Sequence, residues 1–132
     1  MQKARGIGGV FFRARDPERL TAWYAAHLGI DPAPASYEVS SWWQQAGPTV
    51  FTAMPADSAH FGDPARSWAI NFRVPDLDAM VEQLRSVGVH VVVDPESYPN
   101  GRFADLRDPE GNPVQLWEPG GADLRGPDCP SG

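Results

Sequence analysis

The sequence predicts an α+β fold in which one strand–helix–strands unit occurs twice. Two observations lead to this prediction: the order of elements repeats along the 132 residues, and matching residues are separated by about 60 positions. Each unit alone would leave a sheet face uncovered, so we expect the two to pack together around a pocket for a small molecule. The matching residues are Phe12-Arg13 and Phe72-Arg73, Asp16 and Asp76, Gly29 and Gly88, and Gly47–Val50 and Gly111–Val114.

The first unit is expected over about residues 6–54. Its helix begins where Asp16-Pro17 supplies an N-cap and a proline at the first helical position. The helix ends at Gly29, a residue that suits the left-handed conformation at a helix C-terminus. Strands are predicted at 7–15 and, on either side of the breaker Ala46-Gly47-Pro48, at 37–45 and 49–54.

The second unit is expected over residues 68–119, after a linker at 55–67 with the composition of a loop. Its first strand starts at Trp68, Asp76 caps its helix, and Gly88 ends that helix. A β-rich run follows, and then a hairpin of residues 102–107 and 113–118 around Asp108–Gly111, which carries the residue types of a type I turn. We expect one domain over residues 1–120 and a Gly- and Pro-rich tail at 121–132 that is flexible and has no chemical role.

Composition and charge exclude several classes of protein. The formal net charge is −6, whereas nucleic-acid binding requires a basic surface. No apolar run approaches the roughly 20 residues that span a bilayer, and the N-terminus leads into the first strand without a signal-peptide pattern. The single cysteine, Cys129, forms no internal disulfide, which fits a reducing compartment. We therefore expect a cytoplasmic protein without a nucleic-acid or membrane partner.

Strand alternation assigns side chains to a pocket face. In the second unit Ile70, Phe72 and Val74 are expected under the helix, which leaves Asn71 and Arg73 on the opposite face. Polar side chains on an inner sheet face suit a wet or liganded cavity better than a core, unless the two strand-end arginines at 13 and 73 extend to solvent. The candidate ligand-binding residues are Phe11, Arg13, Trp43, Phe51, Asn71, Arg73, Phe103, Asp105, Gln115 and Trp117.

Three groups of residues carry a resemblance to a known superfamily. They are Arg15-Asp16-Pro17-Glu18 with Trp23-Tyr24 and His27-Leu28-Gly29, then Phe72–Asp78, and Arg107–Trp117. Over about residues 6–119 the chain resembles the vicinal oxygen chelate superfamily, which includes glyoxalase I, extradiol dioxygenases, fosfomycin-resistance enzymes and bleomycin-resistance proteins. The resemblance implies two tandem βαβββ modules that form a curled half-barrel sheet with the helices outside. It also implies a homodimer.

Enzymes of this superfamily bind a divalent metal through His or Glu on the first and last strands of each module. The resemblance places these positions at Gly9, Phe51, Ala69 and Gln115. Three of them offer no side-chain ligand and the fourth offers one neutral amide oxygen, which is too little for a divalent ion. Although a weak site that uses His60, His90 or Gln115 remains open, we expect no metal and no cofactor.

The leading interpretation is a metal-independent binding protein of the bleomycin-resistance type. It would hold a planar or aromatic compound, such as an antibiotic or a metabolite, between aromatic side chains while Asn71, Arg73 and Gln115 orient it. The acidic surface suits a cationic ligand, but the pocket arginines suit a carboxylate or phenolate, and we give the arginines more weight. One alternative is a lyase, isomerase or dioxygenase without metal or with a non-standard site, in which Asp105, Glu38 or Tyr98 carries a proton. Another is an interaction protein with a vestigial pocket.

Overall fold

The computed structural model describes residues 1–127, so Cys129 lies outside the described part of the chain. Three α-helices, one short 3-10 helix and four strands occur in this part. The longest helix has 12 residues, and no helix within residues 1–127 has the length and apolar character needed to cross a membrane. In chain order the elements are α1 (Pro17–Leu28), the 3-10 helix (Ala59–Phe61), β1 (Ile70–Arg73), α2 (Leu77–Ser86), β2 (Val91–Val93), β3 (Gly101–Arg107), β4 (Pro113–Pro119) and α3 (Ala122–Arg125).

The four strands form one open mixed sheet in the order β1-β4-β3-β2. β1 runs parallel to β4, whereas β3 is antiparallel to both β4 and β2. Together with α2 they make a complete βαβββ unit, as predicted for residues 68–119. The α+β class is therefore confirmed, and α3 forms a short helix within the predicted tail.

Both predicted helix caps are present. The side chain of Asp16 accepts a hydrogen bond from the Arg19 amide at 3.2 Å, and that of Asp76 accepts one from the Ala79 amide at 3.0 Å. Each carboxylate thus satisfies one of the amide groups that the first turn of a helix leaves unpaired. Gly29 adopts the left-handed conformation at the end of α1, with φ of 69°.

The core lies between the two long helices and one face of the sheet. α2 contributes Leu77, Val81 and Leu84, all of which are buried, and α1 contributes Leu20 and Tyr24. The sheet contributes alternate residues of its two longest strands, Ala104, Leu106, Val114 and Leu116. Because side chains alternate along a strand, the residues between these four point to the opposite side of the sheet.

The first unit differs from the sequence prediction. Its helix is present, but residues 7–15, 37–45 and 49–54 form no strand, so the two-module half-barrel sheet is present only in its second half. A strand requires a hydrogen-bonded neighbour, and in this structure these segments pair neither with each other nor with the free edge of β1. Their large apolar side chains are consequently exposed: Phe11 is 96%, Phe51 is 91% and Trp43 is 85% accessible to solvent.

The first half is attached to the second through the loop 108–112, which we call the Asp108 turn. The Tyr24 hydroxyl of α1 donates to the Asp108 carboxylate at 2.7 Å. The amides of Arg15 and Asp16 donate to the Glu110 carboxylate at 2.6 and 3.1 Å. From the linker, the Arg66 guanidinium donates to the Glu110 carbonyl at 2.8 Å and also to the Asn112 side chain.

Candidate functional site

The face of the sheet that points away from α2, which we call the open face, carries two rows of aligned side chains. The strand register places Asn71 opposite Gln115, and Gln115 opposite Asp105. The next row consists of Arg73, Trp117 and Phe103. Six of the ten predicted ligand-binding residues therefore lie side by side on one face of one sheet.

The aromatic part of the open face is built from parallel rings. Phe103 and Trp117 lie with their ring centres 6.2 Å apart and their planes within 2° of parallel. Trp117 is only 3% exposed, and its indole N–H donates to the Asn100 carbonyl at 2.8 Å. Trp117 thus supports the half-buried Phe103 from one side, while Tyr98 packs edge-on against Phe103 at 5.9 Å.

A hydrogen bond joins the first two residues of the polar row. The Asn71 amide donates to the Gln115 Oε1 at 2.8 Å. Burial raises the pKa of the Asp105 carboxyl, and nearby His60 and a hydrogen bond from Gln115 partly oppose this rise. The row therefore ends in a carboxylate whose charge is incompletely solvated, and such a group favours a hydrogen-bond donor on a ligand.

Arg73 is partly occupied by the first half of the chain. Its guanidinium donates to the Gln45 carbonyl at 2.8 Å. A side chain added at Gly47 would overlap the same guanidinium, so residues 45–47 pass directly beside it. The predicted breaker at 46–48 thus lies at the end of the aromatic row.

Tyr98, which the sequence suggested as a proton carrier, is engaged by a neighbouring carboxylate. Its hydroxyl donates to Asp94 at 2.9 Å, and this hydrogen bond raises the pKa of Tyr98. A phenol that is held in its protonated form is a poor general base. Glu38 is exposed and lines neither of the two cavities of the structure. Of the three predicted proton carriers, Asp105 is therefore the one that remains available on the open face.

A cavity of about 750 Å³ lies at the other end of the open face. Of the ten predicted ligand-binding residues, only Asp105 and Gln115 line it; the other lining residues include Trp23, His60, His90 and Arg107. Arg107 follows Phe103 and Asp105 at intervals of two on β3, so the alternation that selected those residues also indicates Arg107. His60 reaches the cavity from the 3-10 helix of the linker, a position for which the sequence gives no comparable signal.

Four of the ten predicted residues lie neither on the sheet nor in this cavity. Arg13, Trp43 and Phe51 are exposed, as is Phe11. Phe11 instead lines a separate cavity of about 200 Å³ between residues 10–14 and the start of α1, which shares no lining residue with the larger one. The open face of this chain is therefore bounded mainly by its second half.

Comparison with known proteins establishes the family. The model of the glyoxalase-like domain matches residues 9–117. The chain belongs to this family. Solved structures from the glyoxalase, bleomycin-resistance and dioxygenase superfamily show the same fold, which confirms the resemblance to the vicinal oxygen chelate superfamily. No curated protein matches the chain.

Three solved structures illustrate the similarity. The antibiotic binding protein TnmS3 from Streptomyces sp. CB03234 is 28% identical, with 79% of this chain and 87% of TnmS3 covered and a TM-score of 0.51. A glyoxalase/bleomycin resistance protein from the same organism is 27% identical, with 79% and 92% covered and a TM-score of 0.50. A glyoxylase/bleomycin resistance protein/dioxygenase domain from Frankia sp. EAN1pec is 17% identical, with 89% and 99% covered and a TM-score of 0.54, and this likeness concerns the fold alone.

The four positions to which the resemblance assigns a metal offer few ligand atoms in this glyoxalase-like chain. Gly9, Phe51 and Ala69 have no ligand atom in their side chains, and the Gln115 Oε1 already accepts a hydrogen bond from Asn71. Although His60, His90 and Asp105 line one cavity, residues 1–127 contain no group of three or more His, Cys, Asp or Glu placed to hold a metal. A divalent ion needs several charged or imidazole donors that converge on one point.

Proposed function

We propose that this glyoxalase-like protein binds a planar aromatic small molecule and acts without a metal ion. The observation that carries the proposal is the pair of rows on the open face, one aromatic and one polar. An apolar platform with a few aligned polar groups is the usual composition of a small-molecule site. The antibiotic-binding name of the 28% identical TnmS3 supports this class of ligand.

In the proposed complex the flat face of the ligand lies on Phe103, which Trp117 holds from behind. Parallel aromatic contacts contribute about 0.5–1.5 kcal/mol each beyond the area that they bury. The edge of the ligand faces the row of Asn71, Gln115 and Asp105, which supplies amide donors and one carboxylate acceptor. Because Phe103 is already held by its neighbours, little side-chain entropy is lost on binding.

We further propose that the protein is a homodimer. Several large aromatic side chains in residues 7–54 are exposed, among them Phe11, Trp43 and Phe51, and a cluster of such exposed side chains is typical of a protein–protein contact. A second copy would cover this surface and supply a wall for the site that the open face lacks. The proposal also retains one domain over residues 1–120 and a cytoplasmic location, both of which rest on the sequence.

A second candidate function is metal-free proton transfer by Asp105. Burial raises the pKa of this carboxyl, which moves it toward the range of a general acid or base. The test is incubation of the protein with a panel of hemithioacetals and aromatic metabolites, with product detection by mass spectrometry. Turnover that disappears in Asp105→Asn while binding persists would establish an enzyme.

The binding proposal is tested by a thermal-shift and tryptophan-quenching screen against aromatic antibiotics and planar aromatic acids. We expect at least one compound to raise the melting temperature and to change the emission, because a ligand well above its dissociation constant stabilises the folded state. Phe103→Leu should weaken the binding of that compound. Tyr37→Leu, which alters a fully exposed aromatic residue away from the cavity, should leave its binding unchanged. If no compound alters either signal, the proposal is wrong.

A further inference from the structure

The end of the larger cavity farthest from Phe103 carries an arginine that the proposed function does not use. Arg107 is the last residue of β3 and points to the open face, as do Phe103 and Asp105. We propose that Arg107 binds an acid group on the ligand, so the ligand class is a planar aromatic acid. This inference rests on the proposed function and adds the charge of the ligand to it.

The spacing along β3 sets the size of that ligand. A strand rises about 3.3 Å per residue, so the backbone positions of Phe103 and Arg107 are about 13 Å apart, and Asp105 lies midway. The arginine side chain can reach back over part of this distance. A fused two- or three-ring acid would therefore rest its rings near Phe103 and place its carboxylate at Arg107, beyond the repulsive Asp105 carboxylate.

The Arg107 guanidinium is held at the cavity wall by contacts on either side. One of its terminal nitrogens donates to the Gly111 carbonyl at 3.1 Å. The other lies so close to Gly62 that a side chain added there would overlap it, and Gly62 has a φ of 74° that favours glycine. A guanidinium has five N–H donors, so this contact leaves others for a carboxylate, and a positioned arginine can bind a carboxylate with two parallel hydrogen bonds.

The other charged groups around the cavity favour an acid at this end. His60 and His90 are the two imidazoles of the lining, and both can donate hydrogen bonds. Of the two lining carboxylates, Asp108 is buried and accepts hydrogen bonds from Tyr24 and Asn112, so its charge is already balanced by donors. The two arginines that the sequence favoured for an acid are differently placed: Arg13 is exposed in the first half, and Arg73 donates to Gln45.

The test compares 2-naphthoic acid with 2-naphthamide, which has the same rings but no charge, by tryptophan quenching in the 132-residue chain. Arg107→Gln and Arg107→Lys are measured beside Arg102→Gln. The control alters an arginine of the same strand that lies on the opposite face, where it pairs with Asp78 at 3.0 Å. Circular dichroism verifies that each variant is folded.

We expect the wild-type protein to bind the acid about tenfold more tightly than the amide, the factor typical of a hydrogen bond to a charged group. Arg107→Gln should abolish this preference by weakening the binding of the acid much more than that of the amide. Arg107→Lys should retain part of the preference, and Arg102→Gln should retain all of it. The inference would be overturned if the wild-type protein bound the two compounds with equal affinity, or if Arg107→Gln lowered the affinity for both by the same factor. Neither result would overturn the proposed aromatic site. Failure of both compounds and of the wider aromatic screen would overturn the proposed function as well.

Discussion

Replacement of Asp108 by alanine should be the most destabilising single change near the site. The Asp108 carboxylate accepts four hydrogen bonds: from the Tyr24 hydroxyl at 2.7 Å, the Glu110 amide at 2.8 Å, the Asn112 amide at 3.0 Å and the Asn112 side chain at 2.7 Å. Asp108, Tyr24 and Asn112 are all buried, with exposed fractions of 4%, 7% and 2%. Three of the four donors would therefore lose their partner in a place that water reaches poorly.

The expected loss of stability follows from these three donors. A buried donor without a partner costs about 1–3 kcal/mol, and water entering the vacated volume would recover part of that cost, so Asp108→Ala should lose about 3–6 kcal/mol. This is a large part of the roughly 5–15 kcal/mol that stabilises a domain. Tyr24→Phe removes one donor and leaves the carboxylate three others, so its loss should be about 1–2 kcal/mol.

Urea unfolding followed by far-ultraviolet circular dichroism measures both losses. With a typical dependence of about 2 kcal/mol per molar urea, the midpoint of Asp108→Ala should fall by about 2 M. Asp57→Ala, an exposed loop carboxylate, serves as the control and should leave the midpoint close to that of the wild type. A loss below about 1 kcal/mol for Asp108→Ala, or equal losses for Asp108→Ala and Tyr24→Phe, would refute the reasoning.

Three further predictions concern pH and backbone shape. Burial raises the pKa of Asp105 above its ordinary value of 3.8, so the ionised carboxylate destabilises the fold at neutral pH. Asp105→Asn should therefore melt at a higher temperature than the wild type at pH 7, and this difference should shrink as the pH falls toward 4. Burial and the bond to Asp108 raise the pKa of Tyr24 above its ordinary value of 10.0, so the wild type should lose stability above pH 10 in urea titrations, and Tyr24→Phe should lose less. Gly101 has a φ of 128° and an added side chain would overlap the Glu118 carbonyl of the neighbouring strand, so Gly101→Ala should lose roughly 2–5 kcal/mol in urea unfolding.

Each of these predictions has a control and an opposing result. Asp78→Asn should lower the melting temperature at pH 7, because Arg102 lowers the pKa of Asp78 and the ionised form therefore stabilises the fold. If Asp105→Asn and Asp78→Asn changed the melting temperature at pH 7 in the same direction, the first prediction would be wrong. If the wild type and Tyr24→Phe lost stability equally above pH 10, the second would be wrong. Gly88 has a φ of 86° but open space around it, so Gly88→Ala should cost only about 1–2 kcal/mol, and an equal loss in the two glycine variants would contradict the third.

Local signals in the sequence predicted the helices and the second-unit sheet well. Asp16, Asp76 and Gly29 act within one turn of their own positions, so their effect does not depend on distant residues. Alternation along β3 and β4 likewise separated the core face from the open face and brought six predicted site residues together. The same rule, extended one step along β3, would have included Arg107.

The strands of the first unit could not be predicted from their own residues. Segments 7–15, 37–45 and 49–54 have strand-like composition, but strand formation requires a hydrogen-bonded neighbour that this structure does not supply. The contact between Tyr24 and Asp108 joins residues 84 positions apart, and no local pattern reveals such a pair. The position of His60 in the cavity could not be predicted for the same reason. The hydrogen bonds of Arg66 that anchor its linker also join residues distant in sequence.

The attachment of the first half to the Asp108 turn has a consequence for the order of folding. Three hydrogen bonds that hold α1 and the residues before it join positions 84 to 95 apart, whereas the pairing of β3 with β4 closes over a short loop. Contacts between distant residues form late because the intervening chain must first be ordered. During synthesis the first half emerges before its hydrogen-bond acceptors exist, so these three hydrogen bonds cannot form until the β3–β4 hairpin leaves the ribosome. The β3–β4 hairpin must therefore form before α1 and the residues that precede it can make these hydrogen bonds.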